Sequence, residues 1–233
     1  MNNANTIIEA IKARGDEELA QNAQRFFKSG PGEYGEGDRF IGVRVPTLRN
    51  CAKAHINASL ETIRTLLESE WHEIRLLAVI LLSEQFKKAK GEDRTTIYNF
   101  YLTQTHRINN WDLVDSSAHH IVGGYLADKD RAVLYSLSDS ESIWERRIAM
   151  MATFTFIRLN QFEDTYALAE KYLTDKEDLI HKVSGWMLRD VGKRDVEGLR
   201  AFLTTHIALI PRTMLRYAIE KLDSEERKHF LSL

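Results

Sequence analysis

The stretch WHEIRLLAVILL, residues 71–82, decides the class of fold. Its apolar run gives way to the polar residues SEQ (83–85) only after Leu82, and the wider segment IRLLAVILLSEQF (74–86) keeps a helical spacing with no valine-rich alternation. The apolar core of this run, LLAVILL at 76–82, is about one third of the length that a membrane span requires. It therefore predicts a buried helix. The same grammar recurs in RRIAMMATFTFI (146–157) and KVSGWMLRDV (182–191). Three prolines and twelve glycines punctuate the chain. Breaks fall at GPGEYGEGD (30–38), KGED (90–93), ADKD (127–130), SDSES (138–142), NQFED (160–164) and TDKED (174–178), several of them with helix-capping Ser or Asp.

Aligning the helices that follow these breaks exposes a weak repeat. Its starts are Trp71, Trp111, Trp144, His181 and Pro211, with spacings of 40, 33, 37 and 30 residues. Helix-pair repeats of the HEAT/armadillo type have periods of roughly 40. The expectation is an all-α solenoid, a superhelix of HEAT-like (armadillo-type) helix pairs, forming a single repeat domain over 1–233. Such units stack because none can bury its apolar face alone.

The composition narrows the function. One cysteine, Cys51, excludes an internal disulfide framework and a thiolate zinc cluster, and fits a reducing, cytoplasmic setting. The N-terminal residues lack the apolar run of a signal peptide. No membrane association is expected. The net charge of −2 points to no nucleic-acid partner by itself. Sorted by helix, the charge tells more. The second helices of the pairs, 41–54, 71–90, 111–126, 144–158, 181–194 and 211–222, carry +3, +2, −2, +2, +3 and +2. These helices usually line the inner face of a solenoid, so a concave basic groove is expected, of the kind that binds nucleic acid.

The one acidic inner helix is NNWDLVDSSAHHIVGGYL, 109–126. Read as one helix, it aligns Trp111, Asp115 and His119 on a stripe of i,i+4 spacing. Asp112 lies in the first turn, where a carboxylate offsets the helix dipole for about 0.3–1 kcal/mol. Asp115 lies too deep for that role. It is either an ion-pair partner for an inner-face arginine such as Arg147, or a group kept for chemistry. Asp115 and His119 have the spacing of a helical metal-ligand pair, but no second His/Asp cluster accompanies them. No metal and no cofactor are expected. Trp71 and Trp144 read as packing anchors. Gly185 before Trp186 costs about 1 kcal/mol against alanine, which implies a close approach there. Gly123 and Gly124 imply tight helix contact.

WDLVD (111–115), WERR (144–147), GWMLRD (185–190) and GVRVPTLR (42–49) resemble motifs of the bacterial DNA alkylation-repair glycosylases of the AlkC/AlkD-like HEAT-repeat family. The similarity runs over most of the chain. It implies excision of cationic N3- or N7-alkylated purines, 3-methyladenine and 7-methylguanine, from duplex DNA while the base stays in the stack. It assigns Asp115, Trp111 and Trp186 to catalysis, and Arg147, Arg189, Lys193, Arg44, Arg49 and Phe26 to DNA contact. Phe26 stands where a tyrosine is common, and the 30–38 loop is longer than the resemblance implies. A monomer with double-stranded DNA as its partner is expected. The residues alone also fit a DNA-binding solenoid without catalysis, or a peptide-binding scaffold.

Overall fold

The computed structural model describes residues 3–233. These residues are helical, and their single β feature is an isolated parallel bridge between Arg39 and Trp71. The chain divides at Ile121–Val122 into two compact units.

In the first unit, α1 (Ala4–Lys12) starts from Asn3, whose side chain accepts the Asn5 amide. Helix α2 (Glu17–Phe26) starts from Asp16, which accepts the Leu19 amide, with Glu17 and Glu18 in the first turn. A long segment leads to α3 (Val45–Ala54), which carries a proline in its first turn. Helix α4 (Leu60–Leu67) is capped by Ser59. Helix α5 (His72–Lys88) is buried at every position from His72 to Ser83. From Leu76 to Leu82 it is apolar all round because it is surrounded. Helices α3, α4, α6 (Glu92–Thr103) and α7 (Trp111–Asp115) all pack on it. The stretch WHEIRLLAVILL is thus the axis of this unit, and α3, α5 and α7 form the expected row of second helices.

The segment 39–43 lies across the start of α5. The Arg39 carbonyl accepts the His72 amide at 2.8 Å. The buried Glu73 carboxylate accepts the amides of Ile41 (2.9 Å), Gly42 (2.8 Å) and Val43 (3.3 Å). Gly42 is required here: its φ is +83°, and a Cβ would stand 1.9 Å from the Asp16 carbonyl oxygen.

The second unit repeats the plan. Helix α8 (Gly124–Leu126) is followed by α9 (Ala132–Ser138), α10 (Ile143–Arg158), α11 (Glu163–Lys171), α12 (Asp178–Gly192), α13 (Val196–His206), α14 (Arg212–Ala218) and α15 (Ser224–Ser232). Helix α10 packs on α9, α11 and α12; α12 packs on α11, α13 and α14. The second helices α10, α12 and α14 therefore stand in a row with their pair-mates behind them. This is the layering of an α-solenoid, as the repeat spacing implied. No described helix is long and apolar enough to cross a membrane.

The stretch 109–126 departs from the single helix that its spacing suggested. Helix α7 ends at Asp115, a turn follows at Ser116 and Ser117, and His119–Gly123 winds as a π-helix before α8. Two hydroxyls explain the break. Ser117 Oγ donates to the Leu113 carbonyl at 2.6 Å and lies 2.9 Å from the Tyr101 hydroxyl, both groups buried. A serine that bonds back to the carbonyl four residues earlier bends or interrupts a helix. The i,i+4 register therefore holds from Trp111 to Asp115 and is lost before His119, whose ring packs on His120 at 3.8 Å between centroids. Within the second unit, Gly123 does mark tight contact: a Cβ would stand 2.3 Å from the Ala152 carbonyl oxygen of α10.

Candidate active site

Helix α7 is only five residues long, and it presents Trp111 and Asp115 one turn apart on one face, both half-buried. The Trp111 ring is set by two phenylalanines from the end of α2. Phe27 stacks on it at 5.1 Å and 21°, and Phe26 meets it edge-on at 5.7 Å and 71°. Phe26 is 65% exposed, a large apolar ring left in solvent beside a tryptophan. The aromatic expected from the N-terminal helix thus stands beside Trp111, with a phenyl edge and no hydroxyl. Phe27 stacks in turn on Phe40 at 5.3 Å and 17°, and packs against the His72 ring at 4.6 Å. A cavity of about 200 Å³ opens here, lined among others by Phe27, Phe40, Val43, Arg44, His72 and Asp112.

Beneath these rings lies a charged network that the sequence reading missed. His72 Nδ1 is 2.9 Å from Asp38 Oδ2, and Nε2 is 2.8 Å from Asp112 Oδ2. Arg75 donates to the other Asp38 oxygen, and Asn110 Nδ2 donates to Asp38 Oδ2 at 3.2 Å. Burial by itself disfavours a charged imidazole, but the hydrogen bonds and charges of Asp112 and Asp38 outweigh it and raise the His72 pKa to about 9. Burial likewise opposes ionisation of Asp38; the His72 hydrogen bond and the Arg75 charge prevail, and its pKa is lowered. Asp112 is therefore more than the helix-start residue its position suggested. One oxygen accepts the Leu113 amide at 2.9 Å, and the other holds His72. The loop that looked too long delivers Asp38 and Phe40 to this network. No local signal marked it, because its partners lie 34 and 40 residues apart in sequence.

Arg44 and Arg49 are both exposed, at the start of α3 and along it. Arg49 and His120 contribute charge at Glu84, whose carboxyl pKa is lowered chiefly by its hydrogen bond to Lys87. Among the described residues no group of three or more His, Cys, Asp and Glu side chains is arranged to hold a metal ion.

The second unit holds the remaining expected residues. Trp186 is half-buried on α12 and faces Phe154 of α10 at 6.3 Å. The close approach implied by Gly185 is made by α14: a Cβ would stand 2.4 Å from the Met214 carbonyl oxygen and 2.5 Å from Tyr217 Cβ. Arg189 is ion-paired with Glu220, and Lys193 with Asp190 at 2.6 Å. Arg147 is only 5% exposed, and its Nη1 donates to the Leu179 carbonyl at 2.7 Å, tying α10 to α12. Arg158 stacks on Phe154 at 4.3 Å, close to Lys193 and Arg194 around a shallow cavity.

Stacked helix pairs, with tryptophans, carboxylates and cations on their second helices, define an all-helical repeat protein with a polar site on an aromatic base. The chain belongs to the DNA alkylation repair enzyme family, whose model matches residues 7–222. A search of curated proteins finds no match. Among solved structures, the chain is similar to a predicted DNA alkylation repair enzyme from Enterococcus faecalis, with 16% identity and a TM-score of 0.69 over 90% of this chain and 97% of that one. At that identity the likeness is one of fold.

Proposed function

We propose that this member of the DNA alkylation repair enzyme family is a DNA glycosylase that hydrolyses the N-glycosidic bond of cationic N3- and N7-alkylated purines in duplex DNA. The observation that carries the reading is α7, which holds Trp111 and Asp115 on one face with the tryptophan ring backed by Phe27. Alkylation at N3 or N7 has already made the base a cation. The C1′–N bond therefore breaks with its electron pair going to the base nitrogen, which becomes neutral without protonation by an enzyme acid. The sugar left behind has oxocarbenium character. The Asp115 carboxylate stabilises that charge and aligns the water that adds to C1′, whose proton passes to the carboxylate or to solvent. A partly desolvated site strengthens the attraction. The face of Trp111 adds cation–π attraction of about 0.5–2 kcal/mol.

On this reading the enzyme works from the sugar and backbone, with the lesion left in the stack. Arg44 and Arg49 contact phosphates from the first unit, and Arg189 and Lys193 from the second; Arg147, named with them from the sequence, is buried and braces α10 against α12 instead. Phe26 lies against the backbone beside Trp111.

The test is release of 7-methylguanine from methylated duplex DNA. Asp115→Asn should lower the rate by about 10²–10³-fold, the usual effect of losing one electrostatic group at a transition state, while retaining DNA affinity. Equal release by both proteins would remove Asp115 from the mechanism. Salt-sensitive DNA binding without release by the wild-type chain would leave a binding protein.

A further inference from the structure

Helix α7 is too short to hold its own geometry, since nucleating a helical turn is unfavourable and five residues form at most one full turn. Its position must be set from outside, and the contacts show how. The amide of Trp111 is accepted by Asn110 Oδ1 at 2.8 Å, and that of Leu113 by Asp112 Oδ1 at 2.9 Å. Both capping side chains lead back to one imidazole. Asn110 bonds through its amide nitrogen to Asp38, and Asp38 and Asp112 take the two ring nitrogens of His72. His72 is 1% exposed and projects from the first turn of α5, the most buried helix of its unit.

We propose that His72 is a positioning residue for the α7 helix, holding Trp111 and Asp115 in their working orientation by bridging Asp112 to the 30–38 loop through Asp38. The inference rests on the glycosylase reading for its consequence in catalysis, but not for the latch itself. His72 touches no reacting atom. It acts through Asp112 and Asn110, and its ring also packs on Phe27 and Phe40, which back the Trp111 ring. Arg75 holds Asp38 from the same helix, so loss of the imidazole leaves the loop anchored while α7 loses its tie through Asp112 and keeps only the longer Asn110–Asp38 bond.

The experiment compares wild type with His72→Phe, which keeps an aromatic ring between Phe27 and Phe40 and deletes both hydrogen bonds. Amide hydrogen exchange over 111–115 should quicken about tenfold in the variant, with 178–192 unchanged, since a local tie governs local opening. Single-turnover release of 7-methylguanine should slow about tenfold or more, with DNA affinity within about twofold, because orientation and not binding is lost. His72→Gln, which restores one donor and one acceptor, should recover part of both effects. Should the phenylalanine variant lose its helical circular dichroism, Asp112→Asn, which weakens the same tie from the other end, carries the same two measurements. Unchanged exchange over 111–115 in a folded variant overturns the proposal. A wild type that releases no base while its 111–115 amides still respond to His72 overturns the glycosylase reading and leaves the latch standing.

Discussion

Glu73 is the residue whose replacement tests the fold most directly. It is 5% exposed, and its two oxygens accept the amides of Ile41, Gly42 and Val43 at 2.9, 2.8 and 3.3 Å. Those bonds hold the 39–43 segment across the start of α5, next to the bond from the His72 amide to the Arg39 carbonyl. Glu73→Gln changes one oxygen into an amide group of nearly the same size. The remaining oxygen can keep Gly42, but the new NH₂ then faces the Ile41 amide, donor against donor. A hydrogen bond to a charged acceptor contributes about 1.5–3 kcal/mol, and leaving a buried donor unsatisfied costs about 1–3 kcal/mol. The variant should therefore lose about 2–4 kcal/mol. For a unit of this size that is a fall in Tm of roughly 5–15 °C, measurable by scanning calorimetry. Exchange at the Ile41 and Gly42 amides should rise in parallel. A Tm within about 1 °C of wild type, with those amides still protected, would refute the claim that Glu73 pins this segment.

Two further outcomes follow from the packing and the charges. Gly185→Ala places a methyl group 2.4 Å from the Met214 carbonyl oxygen, so α12 and α14 must separate despite alanine's better helix propensity; a loss of about 1–3 kcal/mol in urea unfolding is expected, and a stabilised variant would show that the helices have room. His72 has a folded pKa of about 9, above its ordinary value of 6.5, so the stability it contributes is fully present below pH 6.5 and is lost as pH rises through about 9. The groups that face it are Asp38 from the loop and Asp112 from α7, with Arg75 on its own helix bonded to Asp38. Urea midpoints between pH 6 and pH 10 should fall by the equivalent of roughly 3 kcal/mol in wild type and by much less in His72→Gln; parallel curves would mean that the imidazole is neutral in the folded protein.

Sequence by itself determined the helix pairs and their order. Buried helices need apolar residues at helical spacing and turns need capping residues, and both are local properties of the chain. Helices α5 and α7 and the row α10, α12, α14 were visible in the recurrence of anchors from Trp71 to Pro211, because each repeat has to bury the same face. Trp111 and Asp115 could be singled out because their helix is the one net-negative inner helix and WDLVD resembles a motif of the family. Tertiary structure alone decided what holds them. The His72 bridge joins side chains 34 and 40 residues away, and no periodicity within one helix can encode a hydrogen bond between three segments. Nor could the pattern show that α7 stops at Asp115: the interruption depends on Ser117 meeting the Tyr101 hydroxyl of a different helix. Gly185 was conspicuous in the sequence, but whether its missing side chain admits a ligand or a neighbouring helix is a question of which backbone lies opposite, and α14 lies there.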